Sequence, residues 1–428
     1  MEKLIRLLNE SGVDAWRIHD LKTEGTEYYF IRHCLDQNRI KNTRHVTLSV
    51  FMKSDEGASI GSANAEIYPD ENEEALKEKI NELKQRARLV HNPVYSLNKP
   101  KKAEEIVRKP FSLRKTASDF ITLFNGIEET ETEDLNSAEI FVSEKTERLI
   151  TSEGIDITET YPFSMMEAVV NARNKDHEIE LYRMYRSGTC DQKAIRDDLT
   201  RTMQYGRDRL QTVNTPALKS CPVIFSGSNA VTLCRYFLEK TDAAAVYRKM
   251  STWKTGEPYS ENLKADKVTL KSLRLLDNSF ANRAYDSEGA PVREVTFIDE
   301  GVVKSWHGSR QFSSYLNLED SFIVSNFEVS GGTHTEDELR SGNYLEAVEF
   351  SDFQTDSLTG DFYGEIRLAY VHDHGTVTPV TGGSVSGNLN ELVQDMKMSS
   401  ALRQVGNARI PEYIRLENCT ISGSEEEE

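Results

Sequence analysis

The chain has 428 residues, with 52 Lys and Arg against 70 Asp and Glu and a formal net charge of −18. That length exceeds the roughly 250–300 residues at which one hydrophobic core stops growing, so more than one domain is expected. No run approaches the roughly 18 apolar residues of a membrane span, and a pI near 5.1 disfavours binding to a phosphate backbone, so neither a membrane nor nucleic acid is an expected partner.

The mean hydropathy of −0.56 is low, but 17 Phe, 17 Tyr and 3 Trp keep the composition away from that of disordered chains. Residues 1–12 (MEKLIRLLNESG) read as an amphipathic helix with no leader-type apolar stretch, so a cytoplasmic location is expected. Strands are expected at 15–19, 28–35, 45–52 and 59–68; the alternation in VTLSVFM has the period of two of a half-buried strand. Residues 71–90 form a strong helix, acidic in its first turn and basic in its last, as the helix dipole favours, and His91-Asn92-Pro93 stops it. Residues 93–110, polar and Pro-punctuated with a Lys cluster at Lys99, Lys101 and Lys102, read as a solvated linker. A helix at 116–124 follows, then a hairpin at 139–151, strands at 155–159 and 178–185, and a helix at 194–212.

From Cys221 the chain turns glycine-punctuated and strand-rich. PVIF at 222–225 is a buried strand leading into a helix at 228–240, capped by Ser226 or Ser228. Further strands are expected at 295–298, 302–305, 321–329, 344–350, 363–372, 376–379 and 413–421, with turns at Asp299-Glu300-Gly301 and Asp373-His374-Gly375. Short helices are expected at 335–340 and 389–396, and the closing GSEEEE is a solvated acidic tail. The fold class is therefore α+β, a mixed N-terminal α/β domain followed by a β-rich domain of largely antiparallel sheet. The expected units are 1–92, a linker at 93–110, a middle segment at 111–215 that packs with the N-terminal domain, and 216–428. The five cysteines are scattered, with no CxxC, as suits reduced thiols that fill core positions.

No HExxH, GxSxG, Walker A or GxGxxG signature is present. His372 and His374 lie two apart on an expected strand and so share a face able to chelate one ion, although His374 also sits in turn chemistry. His334 precedes Thr335, Glu336 and Glu338, the pattern of a loop residue at a helix start, and His307 reads as a surface or packing residue. Ser384-Val385-Ser386-Gly387-Asn388 reads as a capping loop with Asn388 at the helix start, and Thr359-Gly360-Asp361-Phe362 as a rigid turn with Phe362 as its core anchor.

Taken in order, several of these pieces resemble the TldD/PmbA metalloprotease family, historically labelled modulators of DNA gyrase. They are the Asp286-Ser287-Glu288-Gly289-Ala290-Pro291 turn, the hairpin around Glu300-Gly301, Asn326 followed by Gly331-Gly332, LTGDF ending at Phe362, Ser386-Gly387-Asn388-Leu389, and the final strand from Pro411 to Gly423. The resemblance implies a two-subunit cytoplasmic protease, whose TldD-type subunit carries HExxxH and a distal cysteine that bind zinc. Here Cys234 and Glu239 fall at the histidine positions and Arg235 at the glutamate position, and 395–409 has no cysteine. The guanidinium of arginine stays protonated and is no general base. The resemblance is thus to the TldE/PmbA-type subunit, a pseudoenzyme that binds no cofactor itself and pairs with a zinc-bearing TldD-type partner, with a homodimer as a possible state of the isolated chain. Asn326, Gly331, Gly332, His334, Thr359, Gly360, Asp361, Phe362, Ser386, Gly387 and Asn388 are the candidate turn or peptide-channel residues. The alternative is a stand-alone metallohydrolase or peptidase with a non-standard site built on His334, His372 and His374.

Overall fold

The computed structural model describes residues 1–424, and the last four residues of the acidic tail lie outside them. The N-terminal half is a helix-backed antiparallel meander. Its helices and strands are α1 (Glu2–Glu10), β1 (Ala15–Ile31), β2 (Cys34–Ser54), β3 (Ser59–Ile67), α2 (Glu73–Arg88), β4 (Asn92–Pro93), α3 (Leu113–Asn125), β5 (Glu133–Thr151), β6 (Asp156–Arg173), β7 (Glu178–Ser187) and α4 (Gln192–Arg209). The sheet order is β4-β3-β2-β1-β5-β6-β7, so the first 92 residues and the segment after residue 110 share one sheet through the β1–β5 pair.

Strand alternation decides what each face of this sheet meets. On one face Trp16, Ile18, Val46, Leu48 and Val50 are buried under α1 and α2, which contribute Leu4, Leu7, Leu8, Leu76, Ile80, Leu83 and Ala87. Further along the same face Ile140, Val142, Met166, Ala168 and Val170 are buried under Phe120, Leu123 and Phe124 of α3 and Ile195, Leu199 and Met203 of α4. Each such Leu, Ile or Phe contributes about 1.5–3 kcal/mol through burial. Asn72 caps α2 by accepting from the Ala75 amide at 2.9 Å, and Asp191 caps α4 by accepting from Ala194 at 3.1 Å. The opposite face carries Arg17, His19, Glu147, Glu159 and Tyr161, and the C-terminal half docks against it.

Two expectations for this half are corrected. Residues 139–151 are no hairpin but part of the single 19-residue strand β5, paired along its length with β1 and β6. The stretch has no Gly, Asn or Pro to take a turn conformation, so continuing the ladder satisfies its backbone. The strand expected at 28–35 instead contains the tip of the β1–β2 hairpin, where Arg32 takes φ +51°.

The C-terminal half begins with β8 (Val213–Asn214), β9 (Leu218–Ser226), α5 (Gly227–Lys240) and α6 (Ala243–Tyr247). It continues with β10 (Thr269–Leu273), β11 (Val295–Asp299), β12 (Val302–Val303), α7 (Arg310–Tyr315), β13 (Asn326–Ser330), α8 (Glu336–Leu339), β14 (Tyr344–Thr355), β15 (Asp361–Asp373), β16 (Thr376–Thr381), β17 (Ser384–Asn388), α9 (Leu389–Leu392), β18 (Lys397–Met398), β19 (Leu402–Val405), β20 (Ala408–Pro411) and β21 (Tyr413–Ser422). One sheet runs β12-β11-β10-β13-β20-β19 and the other β14-β9-β21-β17-β15-β16-β8. An additional β14–β15 pairing closes β14, β9, β21, β17 and β15 into a ring. Helix α5 packs between the sheets, and Ala230, Leu233, Cys234 and Phe237, spaced at three and four residues, all enter one continuous core.

The expected turns at 299–301 and 373–375 form with both central residues left-handed: Glu300 and Gly301 at φ +45° and +84°, His374 and Gly375 at +47° and +83°. Ser384–Asn388 is corrected from a loop to strand β17, because β15 and β21 flank it and take up its backbone groups. The strand expected from 321 starts only at Asn326, and the helix expected over 389–396 ends at Leu392. Residues 93–110 have almost no regular structure, yet they are strapped to the C-terminal half. The Asn98 amide donates to the Glu288 carbonyl at 3.1 Å, the Ala103 amide to the Tyr285 hydroxyl at 3.0 Å, and Lys101 pairs with Asp320. Among the described residues no helix is long and apolar enough to cross a membrane. All five cysteines are thiols; Cys221, Cys234 and Cys419 are buried, Cys190 is half-buried and Cys34 is exposed.

Candidate functional site

Helix α5 starts where Ser226 ends β9, and its apolar face turns Cys234 into the core, 0% exposed, where burial pushes the thiol pKa up. Glu239 is exposed. Between them in sequence, the Arg235 guanidinium lies 5.5 Å from the centre of the Phe327 ring and donates to the Asn407 side-chain oxygen at 3.3 Å. Asn407 in turn donates to the Ser325 carbonyl at 2.6 Å. A thiol kept protonated in the core, a carboxylate outside it and a cation beside them do not fit a zinc ion, which needs converging anionic or neutral donors. Among the described residues no group of three or more His, Cys, Asp and Glu side chains is placed to hold a metal ion.

The candidate turn residues form two clusters. Pairing of β15 with β17 sets Asp361 opposite Asn388, Phe362 opposite Gly387 and Tyr363 opposite Ser386. The Asn388 side chain donates to the Thr359 carbonyl at 3.0 Å and to Asp361 at 2.7 Å, and Asn390 donates to the same carbonyl at 2.6 Å. Gly360 has φ +83°, and a Cβ there would lie 2.3 Å from the Asn390 amide nitrogen. Asn390 also accepts from the Tyr236 hydroxyl at 2.7 Å, tying this cluster to α5. In the second cluster, Cβ atoms on Gly331 and Gly332 would lie 2.0 Å from the Lys267 carbonyl oxygen and 2.2 Å from that of Ser399. Here His334 Nδ1 is 2.9 Å from Asp266, which also accepts from Thr333 at 2.7 Å and from the Met398 amide at 2.7 Å.

Asn326 and Phe362, candidates for a channel wall, are 0% and 2% exposed. They support the frame from inside: Asn326 accepts from Ser279 at 2.7 Å and donates to Asn282 at 3.0 Å, and Phe362 packs edge-on against Phe225. The histidines weighed for a non-standard metal site are not brought together. His372 is stacked on Tyr344 at 4.2 Å with burial lowering its pKa, His374 is 88% exposed at its turn tip, and His334 is held by Asp266. His307 is a packing residue, buried with Nε2 2.9 Å from the Leu238 carbonyl.

Sequence reasoning passed over the cavity of about 250 Å³ where the polar face of the N-terminal sheet meets the C-terminal half. His19 Nε2 is hydrogen-bonded to Glu147 Oε1, and the Tyr161 hydroxyl donates to Glu147 Oε2 at 3.0 Å. The bond from His19, opposed by burial and helped by Tyr161 and Arg283, holds the Glu147 pKa below the usual glutamate range, while burial pushes Tyr161 up to about 12. The Arg283 guanidinium lies over the Tyr161 ring, 3.0 Å from its centre, and donates to the carbonyls of Phe280 and Asn282. Glu159 accepts from the amides of Ala284 and Tyr285 at 2.9 and 3.1 Å, and Asp286 accepts from three backbone amides with its pKa raised by burial. The one sequence signal was alternation, since Arg17 and His19 interleave with buried Trp16 and Ile18.

A frame of glycine turns, a helix enclosed between two sheets and a helix-backed meander define a two-part α+β protein. Residues 218–423 match the family described as PmbA/TldA metallopeptidase C-terminal domain. Over nearly the whole length the fold is that of TldE from Thermococcus kodakarensis (TM-score 0.78, 16% identity, 99% of this chain and 100% of that one). It is also that of a candidate modulator of DNA gyrase from Bacteroides thetaiotaomicron VPI-5482 (TM-score 0.78, 17% identity, 99% and 98%) and of one from Thermotoga maritima MSB8 (TM-score 0.76, 16% identity, 98% and 98%). Among curated proteins, the uncharacterized protein MJ0231 of Methanocaldococcus jannaschii is 20% identical over 170 residues, 36% of this chain, which spans 40% of that relative's length. The chain thus carries a C-terminal domain of the PmbA/TldD family and has a TldE-like fold throughout.

Proposed function

We propose that this chain is the non-catalytic, TldE-like subunit of a cytoplasmic two-subunit metalloprotease. It binds no metal itself, pairs with a TldD-type subunit that carries zinc, and helps hold extended or leader peptides for cleavage there. The observation that carries this reading is the state of α5: Cys234 is sealed in the core, Glu239 is outside, and Arg235 is engaged by Asn407 and Phe327. The edge strands β12 and β19 of one C-terminal sheet are of the kind that hold an extended peptide by main-chain hydrogen bonds, and the turns at 359–362 and 331–334 brace the frame behind them.

The test is co-expression with a TldD-type protein of the same genome. The expected result is a complex that co-purifies and cleaves an unfolded peptide in a chelator-sensitive way, while this chain alone, as monomer or homodimer, is inactive. Chelator-sensitive hydrolysis by the isolated chain, or stoichiometric zinc bound to it, overturns the proposal.

A further inference from the structure

Carboxylates outnumber cations in the lining of the inter-domain cavity. Three carboxylates, Glu147, Glu159 and Asp286, line it against the single guanidinium of Arg283. That guanidinium is no anion site, because its Nη1 is engaged by the Phe280 and Asn282 carbonyls and its face lies on Tyr161. Glu159 is additionally approached at 3.5 Å by Arg108, so the three carboxylates exceed the two guanidinium groups by one negative charge.

His19 adds a directed acceptor. A neutral imidazole that donates from Nε2 to Glu147 keeps its lone pair on Nδ1, and that nitrogen has no hydrogen-bond partner among the described residues. Glu147 is held in turn by Tyr161, so the pair is fixed on two neighbouring strands of one rigid sheet. Both side chains retain some exposure, 32% for His19 and 23% for Glu147. Beside the carboxylates, Leu149 and Ile157 of the sheet, with Ile323 and Val324 of the C-terminal half, supply the apolar part of the lining. A volume of about 250 Å³ suits one residue-sized group with a cationic head and an apolar flank.

We propose that this cavity binds the ammonium group of a peptide, with His19 as its hydrogen-bond acceptor, Glu147 as the residue that positions His19, and the apolar lining at Leu149 and Ile323 taking the adjoining carbon chain. The idea rests on the peptide-holding role proposed above, but it concerns a place remote in sequence from α5 and is tested without any partner subunit. The ammonium comes either from a peptide amino terminus or from a lysine side chain.

The experiment is isothermal titration of the full-length chain with three amidated tetrapeptides: leucyl-trialanine, its N-acetylated form, and N-acetylated lysyl-trialanine. A charge-assisted hydrogen bond in a partly desolvated site implies that acetylating leucyl-trialanine weakens binding by about tenfold or more. Tight binding of the acetylated lysyl peptide assigns the site to side-chain ammonium, and weak binding assigns it to the amino terminus. The variants H19N and E147Q, each first shown to melt cooperatively near the wild-type temperature, are expected to lose about tenfold in the affinity of the preferred amine. Should either variant fail to fold, I157F, which narrows the cavity from its apolar side, replaces it with the same expected loss. Equal affinity for the free and acetylated leucyl peptides together with weak binding of the lysyl peptide overturns the proposal. So does unchanged binding by the variants, or no saturable binding of any peptide up to about 10 mM. A negative result here leaves the co-purification test of the partner reading unaffected.

Discussion

The N-terminal sheet and the C-terminal half solve the same burial problem in different ways. In the first, sequential strands pair as neighbours, helices cover one face, and two separate apolar clusters form under α1–α2 and α3–α4. In the second, β10 pairs with β13 and β13 with β20, a strand ring closes through β14 and β15, and a single core runs across both sheets and α5. The comparison teaches that the N-terminal half leaves a polar face available for chemistry, whereas the C-terminal half invests its special residues, glycines and hydrogen-bonded asparagines, in bringing backbone segments close together.

The largest expected effect tests the C-terminal frame. Phe362→Ala removes a ring that meets both Phe225 and Phe353 in the core and should cost about 3–5 kcal/mol in chemical denaturation. A loss below about 1 kcal/mol would mean that the turn it anchors is not rigid. Next comes Gly332→Ala, whose Cβ would meet the Ser399 and Met398 carbonyl oxygens at 2.2 and 2.5 Å; a loss of about 2–4 kcal/mol is expected, because backbone on both sides must move apart.

The polar face should respond more mildly and with a pH signature. Glu147 has a lowered pKa, from its bond with His19 first, so its contribution is complete above the ordinary value of 4.5 and is lost as pH falls through the lower folded value. Glu147→Gln should therefore cost about 1 kcal/mol near neutrality, a deficit that closes in melts recorded at acid pH. A deficit independent of pH would assign Glu147 a packing role alone. The smallest effect is expected at the hairpin arm, where Ile40 is 87% exposed; Ile40→Thr should shift stability by no more than about 0.5 kcal/mol, and a larger loss would reveal that the arm is covered in solution.

Helices α2, α3, α4 and α5 were legible because apolar periodicity is a local feature, as were the two left-handed hairpin turns at Glu300-Gly301 and His374-Gly375, although Ser226, expected to cap α5, makes no side-chain bond to its first turn. The length of β5 was not, since a run such as Ser143-Glu144-Lys145-Thr146-Glu147 is polar on both faces and only its flanking partners keep it extended. Ser384–Asn388 misled for a related reason: glycine and serine read as loop, but β15 and β21 make a strand of it. At the candidate sites, the turn residues were visible as motifs, whereas the meeting of His19 with Glu147, 128 positions apart, left no mark in either strand.

By itself the sequence determined helices α2 to α5, the turns at Glu300-Gly301 and His374-Gly375 and the α+β class, because each depends on residue type and spacing along the chain. Only the tertiary structure decided that Cys234 is sealed in the core while Arg235 reaches Asn407, and that a polar sheet face becomes a cavity. Those outcomes depend on which distant segments are packed together, and burial and hydrogen bonding across such gaps are set by the whole fold.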